Sequence, residues 1–540
     1  MSDYDWNEQT EVAIIGGGLA GMCAAIAAAE NGASVTVLDR GYGGGSSAIS
    51  AGVIYAGGGT KQQLEPGFKD DTPDNMYRYL EREVGDAVDE ATLRRFCNES
   101  VDRMEWLEAH GVQFEGSFCP FKTSLPTTEH FLYFSGNEKA LPFRKLAIPA
   151  PRGHRPVGSE KSRQKGMGLT GADLWQTIFN SALRLGVRFV SASKVDEIIT
   201  SEGRIEGVHY YSMDAGPWLS KLHQYLVRTA LSCQATIQPL ANLLDYLADG
   251  IWARYSRERV LKSRTVILAT GGFIMNKNLI KKFIPQAGGT TPLGTIGDDG
   301  SGILLGQSVG GSVSHMDRFS AWRLIYPPEA LVEGVIVSLQ GDRIAAEDLY
   351  GGSFTDVMVR QSNSQGFLIL DASQWTKAKC QLEHQTRGLW KTFIQYLLIW
   401  GHKKANTLQG LARKMGINEL ALEKTVRGYN DAIIHEKEDP MGKQDHRTAI
   451  TTAPFYGIDV SLGQTGFLMT PALTLGGLRV DGGTGHVLDD SGNIIRGLYA
   501  AGRNAVGVCS NSYISGLSLA DGVFSGKRAG EEAARESKIL

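Results

Sequence analysis

Glu11-Val-Ala-Ile-Ile-Gly16-Gly17-Gly18-Leu-Ala-Gly21 decides the fold: an apolar run ends in a tight glycine turn and leads straight into an Ala-rich stretch. The run has the length of a buried strand, and the alanines that follow favour helix. Gly16 permits the turn, Gly18 lets the backbone approach a pyrophosphate, and Gly21 lets helix and sheet close on one another. The helix N-terminus offers free N–H groups and a positive dipole end to the phosphates. Asp39 closes the next strand, Ser34-Val-Thr-Val-Leu-Asp39, near the spacing of a ribose-hydroxyl acceptor, with Arg40 beside it. Strand, turn, helix and acid together predict a dinucleotide site.

The other half of that site stands near the C-terminus, where Gly497-Leu-Tyr-Ala-Ala-Gly502-Arg503-Asn supplies a second strand and glycine turn. NAD and FAD share the first fingerprint, so the later segments decide between them. Val266-Ile-Leu-Ala-Thr-Gly271-Gly-Phe fits the additional nucleotide-facing strand of FAD enzymes. Gly43 to Gly52 is a loop of small residues in which Ser46, Ser47, Ser50, Ala51 and Gly52 suit a pyrophosphate and a flat ring. The turn at Gly502 and Arg503 meets the ribityl chain. A helix from about Leu517, opened by Gly516 and carrying Ser518 and Leu519, aims its N-terminus at the flavin pyrimidine and stabilises a reduced anion there. Together these segments favour FAD.

Size and composition bound the rest. At 540 residues the chain holds two or more domains. A net charge of -3 shows no basic footprint, so nucleic acid is not an expected partner. Residues 1–10 are polar and acidic, which predicts a cytoplasmic protein, and no apolar run is long enough to span a bilayer. Cysteines 23, 97, 119, 233, 380 and 509 are scattered without paired spacing, which argues against disulfides, zinc, iron–sulfur clusters and attached haem. No metal is expected.

Thr72 to Gly111 reads as helical, with Thr72-Pro73-Asp74 as its cap, and residues 115–170 suit a loop-built pocket wall. Residues 217–257 break the strand pattern with two apolar stretches at helical spacing, divided by Pro239, which predicts an inserted helical hairpin. Trp390 to Trp400 is similarly aromatic. Either packing onto the domain or a dimer, or a peripheral membrane contact at the inner face, accounts for both segments. The hairpin is expected to be removable without emptying the flavin site.

The string Gly476-Gly-Leu-Arg-Val-Asp, Val487-Leu-Asp, Gly497 to Gly502 and Gly516-Leu-Ser-Leu-Ala-Asp-Gly-Val-Phe-Ser-Gly526 resembles the fumarate reductase/succinate dehydrogenase flavoproteins. That resemblance implies an α/β architecture: a Rossmann-like FAD-binding domain over 1–311 and 457–540, interrupted by an α+β substrate cap over 312–456. Covalent attachment in that superfamily uses a His in the small-residue loop, and none stands here, so FAD is expected to be non-covalent. The cations that clamp a dicarboxylate are also missing. Gly341-Asp-Arg343-Ile-Ala-Ala-Glu347-Asp-Leu-Tyr350-Gly351 has Gly351 where the proton-delivering Arg belongs, Thr470 to Gly476 has no His, and Cys509 to Gly516 has no Arg.

Hydroxyls stand instead, and Tyr513-Ile-Ser515 is similar to the 3-ketosteroid dehydrogenases of the Δ4-(5α) type. This resemblance implies Tyr350, Tyr513 and Ser515 as the catalytic set, and Tyr133, Tyr350, Tyr513 and Gly516 around a hydrophobic 3-ketosteroid. The C3 ketone accepts hydrogen bonds, a C4 proton leaves to a base, and C5 gives its hydride to flavin N5. An external electron acceptor, with a quinone as the guess, completes turnover. Pro149-Ala-Pro-Arg152-Gly-His154 reads either as a flavin-side wall or as a charged surface turn. A Δ1-dehydrogenase and an ene-reductase of another substrate remain the alternatives.

Overall fold

The strand Val12–Ile15 runs inside a six-stranded sheet ordered His486–Leu488, Ile494–Ala500, Thr265–Leu268, Val12–Ile15, Val35–Leu38 and Arg188–Val190. All neighbours from Ile494–Ala500 onward are parallel, and His486–Leu488 closes one edge antiparallel. The computed structural model describes residues 6, 8–124, 127–160, 162, 169–233, 238–323, 325–463 and 470–539. Parts of the stretch 1–10, of the wall 115–170 and of the link within the hairpin 217–257 lie outside the described residues.

Period-two alternation explains how this sheet is covered on both sides. Val12, Ile14, Val35 and Val37 join one core with the helices Leu19–Glu30 and Leu517–Ser537. Ala13, Ile15 and Leu38 face a second core, shared with the antiparallel strands Ser193–Ser201, Arg204–Met213 and Ser256–Lys262. The two helices press backbone against backbone. A Cβ added at Gly526 would lie 2.3 Å from the Ala20 carbonyl oxygen, and one at Gly530 would lie 2.2 Å from that of Ala24. At Gly21 the close approach is to its own turn, 2.0 Å from the Gly16 oxygen.

A second sheet, Val335–Val337, Phe367–Leu370, Phe455–Asp459 and Lys403–Ala405, is antiparallel throughout. Ile336, Leu368 and Ile458 pack under Gly351–Gln361, Ala372–Gln385 and Gly388–Ile399. Val335, Val337 and Ile369 pack under Leu408–Met415 and Glu419–Ile434. This α+β unit interrupts the parallel sheet in sequence, and the fold class is α/β. The pairings at its ends are informative. Val313–Ser314 and Phe319–Ala321 pair with Gly477–Leu478 and Pro471–Thr474, so residues just past 312 still sit with the flanking unit.

Local differences have simple causes. The stretch from Thr72 to Gly111 is three helices, Pro73–Val84, Glu90–Asn98 and Ser100–Ala109, because Gly85 (φ +55°) ends the first and Asp89 caps the second. Thr72 caps the first through its hydroxyl, 3.1 Å from the Asn75 N–H. Pro217–Cys233 and Gln238–Tyr255 form helices between two paired strands, and Pro239 sits in the first turn of the second, where a missing N–H costs nothing. In Gly388–Ile399, Ile394, Leu397 and Leu398 are buried while Tyr396, Ile399 and Trp400 look outward.

The backbone contact between the two long helices yields a contrast. Gly530→Ala should lower stability by about 1–3 kcal/mol, because the methyl has no room. Gly428→Ala, on an open face of Glu419–Ile434, should be neutral or stabilise by up to about 1 kcal/mol. Urea midpoints of both variants against the parent check this, and equal midpoints would contradict the packing.

Candidate active site

Strand order reverses around Val12–Ile15, and the crevice at such a switch point is where α/β sheets take ligands. A cavity of about 530 Å³ opens there. Of the residues anticipated for the cofactor, Gly16, Gly18, Asp39, Arg40, Ser46, Ser47, Ser50, Gly271, Gly502, Arg503, Ser518 and Leu519 line it. Gly21, Ala51, Gly52, Gly516 and Leu517 stand behind the wall. The Ala51 carbonyl accepts from the Thr170 hydroxyl at 2.9 Å, Gly52 and Gly516 take positive φ, and Leu517 is fully buried in the core.

Two helix N-termini converge on this space. Leu19–Glu30 opens on Gly18 and Leu517–Ser537 on Gly516, neither with a side-chain cap nor an acid in its first turn. A Cβ at Gly18 would meet nothing nearer than Ser47 Oγ at 3.9 Å, so the backbone there is open to a ligand. Arg503 Nη1 and Asn504 Nδ2 are buried without a protein partner beside the cavity. Open backbone, free dipole ends and unpaired donors fit a bound pyrophosphate and flavin.

The anionic side chains of the crevice do more than was anticipated. Asp39 accepts from the Gly17 N–H at 2.7 Å and from those of Gly41 and Gly43 at 2.9 Å each. A carboxylate has about four acceptor positions, so one is left for a ribose hydroxyl. Asp298 was not singled out from sequence, yet it gathers the floor: Ser46 Oγ at 2.5 Å, Arg503 Nη2 at 2.6 Å and the Thr295 N–H at 2.7 Å. Its signal was the turn Gly294 to Gly300, with two acids among three glycines. Arg40 pairs with Asp299 at 2.6 Å. Among the described residues, Arg40, Lys194 and Arg503 are the cations lining the crevice, and two of the three are thus neutralised.

At the opposite end the lining becomes aromatic and apolar: Tyr513, Trp322, Leu293 and Leu473. The Tyr513 ring lies 4.9 Å from Trp322 and 6.4 Å from Tyr350, centroid to centroid. Ile514 is buried in the core, Tyr513 packs half-buried against the edge of that core, and Ser515 is buried beside them. The Ser515 hydroxyl lies 2.8 Å from that of Tyr133, and its presence offsets part of the effect of burial on the Tyr350 phenol. Tyr133 is therefore half of a hydroxyl pair rather than part of a bare wall. Gly516 contributes its conformation (φ +90°) and its carbonyl, which accepts from the Tyr55 N–H at 3.1 Å. Burial pushes the Tyr350 and Tyr133 phenols up strongly. Tyr513 rises only to about 12, held back by the Gly516 N–H and Arg503.

A buried polar frame holds these hydroxyls. Asn137 Oδ1 accepts from the Tyr350 N–H at 2.7 Å, and Asn137 Nδ2 donates to Glu83 at 2.6 Å and to Ser353 Oγ at 2.8 Å. Glu83 also takes the Tyr79 hydroxyl at 2.8 Å and that of Ser512, beside Tyr513, at 3.1 Å. Its signal was a carboxylate on the apolar stripe Met76–Leu80–Val84. Arg152 is fully buried and paired with Asp71 at 2.6 Å, so the surface-turn reading of Pro149–His154 is wrong. Arg152 does not line the crevice either. Its neighbours Gly153–His154 form the strand that pairs with Leu132–Tyr133 and Ile54–Tyr55, fixing Tyr133 in place. Arg343 and Glu347 form a buried ion pair at 2.6 Å, with Asp439 as second partner, and face no substrate space.

Comparison with known proteins gives the family. The FAD binding domain family matches residues 11–519. The chain belongs to that family. It is 32% identical over 517 residues, 93% of both chains, to a 3-oxo-5-alpha-steroid 4-dehydrogenase of Comamonas testosteroni. It superposes with a TM-score of 0.83 and 31% identity on the 3-ketosteroid-Δ4-(5α)-dehydrogenase of Rhodococcus jostii RHA1 in complex with 4-androstene-3,17-dione, covering 99% and 98% of the two chains. A 3-oxosteroid 1-dehydrogenase of Mycolicibacterium smegmatis is 25% identical over 94% of each chain. The protein is thus an FAD-dependent oxidoreductase.

One buried carboxyl gives the site a pH signature. Burial pushes Glu138 from 4.5 to about 7 against the pull of Arg152 and Lys122, and Tyr55 Oη lies 3.4 Å from it. The folded protein therefore holds a proton there that the unfolded chain has lost, and this contribution to stability fades as pH rises from about 4.5 through 7. Glu138→Gln should flatten the fall in the urea midpoint between pH 5 and pH 8. Identical falls in both proteins would contradict the assignment.

Proposed function

We propose that the protein is a 3-oxo-5α-steroid 4-dehydrogenase, introducing a C4–C5 double bond beside the 3-keto group. The observation that carries this reading is the buried Tyr133–Ser515 hydroxyl pair with Tyr350 and Tyr513 packed close by, at the aromatic end of an FAD crevice whose arginines are already paired. Such an end suits a neutral, apolar ketone and offers a dianion no clamp. The matching relatives at 31–32% identity carry the same named activity.

The buried phenols divide the work. A neutral phenol is a hydrogen-bond donor, and the hydroxyls of Tyr350, Ser515 and Tyr133 supply donors that polarise the C3 carbonyl and acidify C4. Of the phenols at this end Tyr513 is the least disfavoured from losing its proton; once that proton has left to solvent, its phenolate takes up the C4 proton. Trp322 and Leu473 exclude water from that transfer. When bound, FAD supplies the acceptor for the C5 hydride. No His stands in the loop Gly43 to Gly52, so FAD is held non-covalently.

Anaerobic mixing with a saturated 5α-3-ketosteroid should bleach the flavin and yield the 4-ene. Tyr513→Phe and Ser515→Ala should slow bleaching by about 10²-fold or more while FAD stays bound. A 1-ene product would move the assignment to the Δ1 enzymes, and near-parental rates in both variants would remove the hydroxyl set.

An external acceptor, a quinone, reoxidises the flavin, and the protein reaches it from a membrane surface. No described helix is long and apolar enough to cross a membrane. The outer faces of Pro217–Cys233 and Gln238–Tyr255 nonetheless expose Trp218, Tyr225, Leu243 and Tyr246, and Trp400 projects elsewhere. Such aromatic and leucine faces suit the headgroup boundary. The protein should co-sediment with phosphatidylglycerol vesicles, and a Trp218→Ser/Tyr246→Ser double variant should not. Equal sedimentation of the two would refute the contact.

A further inference from the structure

The inserted hairpin is not separable from the cofactor crevice, contrary to what the sequence suggests. Val227 from Pro217–Cys233 and Ala248 and Trp252 from Gln238–Tyr255 line the same cavity as Gly18 and Asp39, together with the polar His223 and Asp245. The direction of a dinucleotide along that cavity is set by the fold. Its pyrophosphate lies at the turn Gly16 to Gly21, and the adenosine ribose lies toward Asp39. The flavin then lies toward Tyr513, and everything beyond Asp39 faces adenosine.

The hairpin is tied down at that adenosine end on two sides. Tyr42, in the loop after Asp39, places its hydroxyl 2.7 Å from His223 Nδ1 and donates to the Ser220 carbonyl at 3.2 Å. Trp252 donates its indole N–H to the Ala192 carbonyl at 3.2 Å, and its ring meets Tyr211 edge-on. Ala192 in turn donates to the Gly41 carbonyl at 2.7 Å, and Ser193 to that of Asp39 at 2.8 Å. Loop, strand end and both helices thus close one ring around the space beyond Asp39. His223 is buried although it belongs to a hairpin whose far side is solvent-facing.

We propose that this hairpin is the adenosine clamp of the FAD site: Val227, Ala248 and Trp252 cover the purine, and His223 and Asp245 face the sugar and amino edge. The chemistry suits adenosine in particular. Apolar side chains and an indole cover a flat heterocycle, whereas imidazole and carboxylate pair with hydroxyl and amino groups. Asp245 and Asp249, one helical turn apart beside this space, disfavour any additional phosphate on the ribose. The apolar outer face is a separate feature, on the side of the helices away from the cavity.

FMN lacks the adenosine half and provides the test. Holoenzyme is equilibrated with mixtures of FAD and FMN, and the bound fraction of each is read by chromatography. Trp252→Ala and His223→Ala should each lower the preference for FAD over FMN by about tenfold. Trp218→Ala, on the outer face, should leave the preference at the parental value. A variant that merely loosens the fold weakens both flavins and keeps their ratio. A parental ratio in both Trp252→Ala and His223→Ala would overturn the clamp, whatever happens to overall flavin content.

Discussion

Two helices from opposite ends of the chain pack backbone against backbone, and the rest of the molecule depends on that contact. Gly526 and Gly530 bring Leu517–Ser537 onto Ala20 and Ala24 of Leu19–Glu30 with no side chain between them. The close fit fixes where both N-termini point, and both point into one crevice without caps of their own. Any loosening would separate the pyrophosphate turn from the flavin-side turn. Everything built between them, including the α+β unit over the ring end and the hairpin over the far end, takes its position from this pair.

Local signals were legible wherever one residue type answers one backbone demand. Gly16, Gly271, Gly502 and Gly516 all take positive φ, and each lies in a turn readable from sequence. The alternation of Val12, Ala13, Ile14 and Ile15 was visible only as an apolar run, since both faces are buried. The candidate site was harder to read. Tyr513 and Ser515 are neighbours in sequence, but Tyr133 reaches Ser515 across 382 positions, and nothing in spacing encodes that. Asp298, Glu83 and Asn137 act by gathering donors from several segments, so their importance exists only after folding. Arg152 could be read as flavin-side wall or as surface charge, because its partner, Asp71, lies 81 residues away.

The chemistry follows from what the crevice lacks as well as what it holds. Its arginines are spent on Asp298 and Asp299, where they stiffen the cofactor floor. The ring end is left with hydroxyls in an apolar setting. Burial keeps those phenols neutral, which suits them to donate toward a ketone. In the proposed reaction, proton chemistry and hydride chemistry fall at opposite ends of one substrate bond, with Tyr513 on the proton side.

The measurement that tests this account most directly is an isotope effect on anaerobic flavin bleaching, using 5α-3-ketosteroids deuterated separately at C5, C4 and C1. The account predicts primary effects from C5 and from C4, and none from C1. An effect from C1 with none from C5 would contradict it, because the bond broken toward the flavin would then lie on the other side of the ketone.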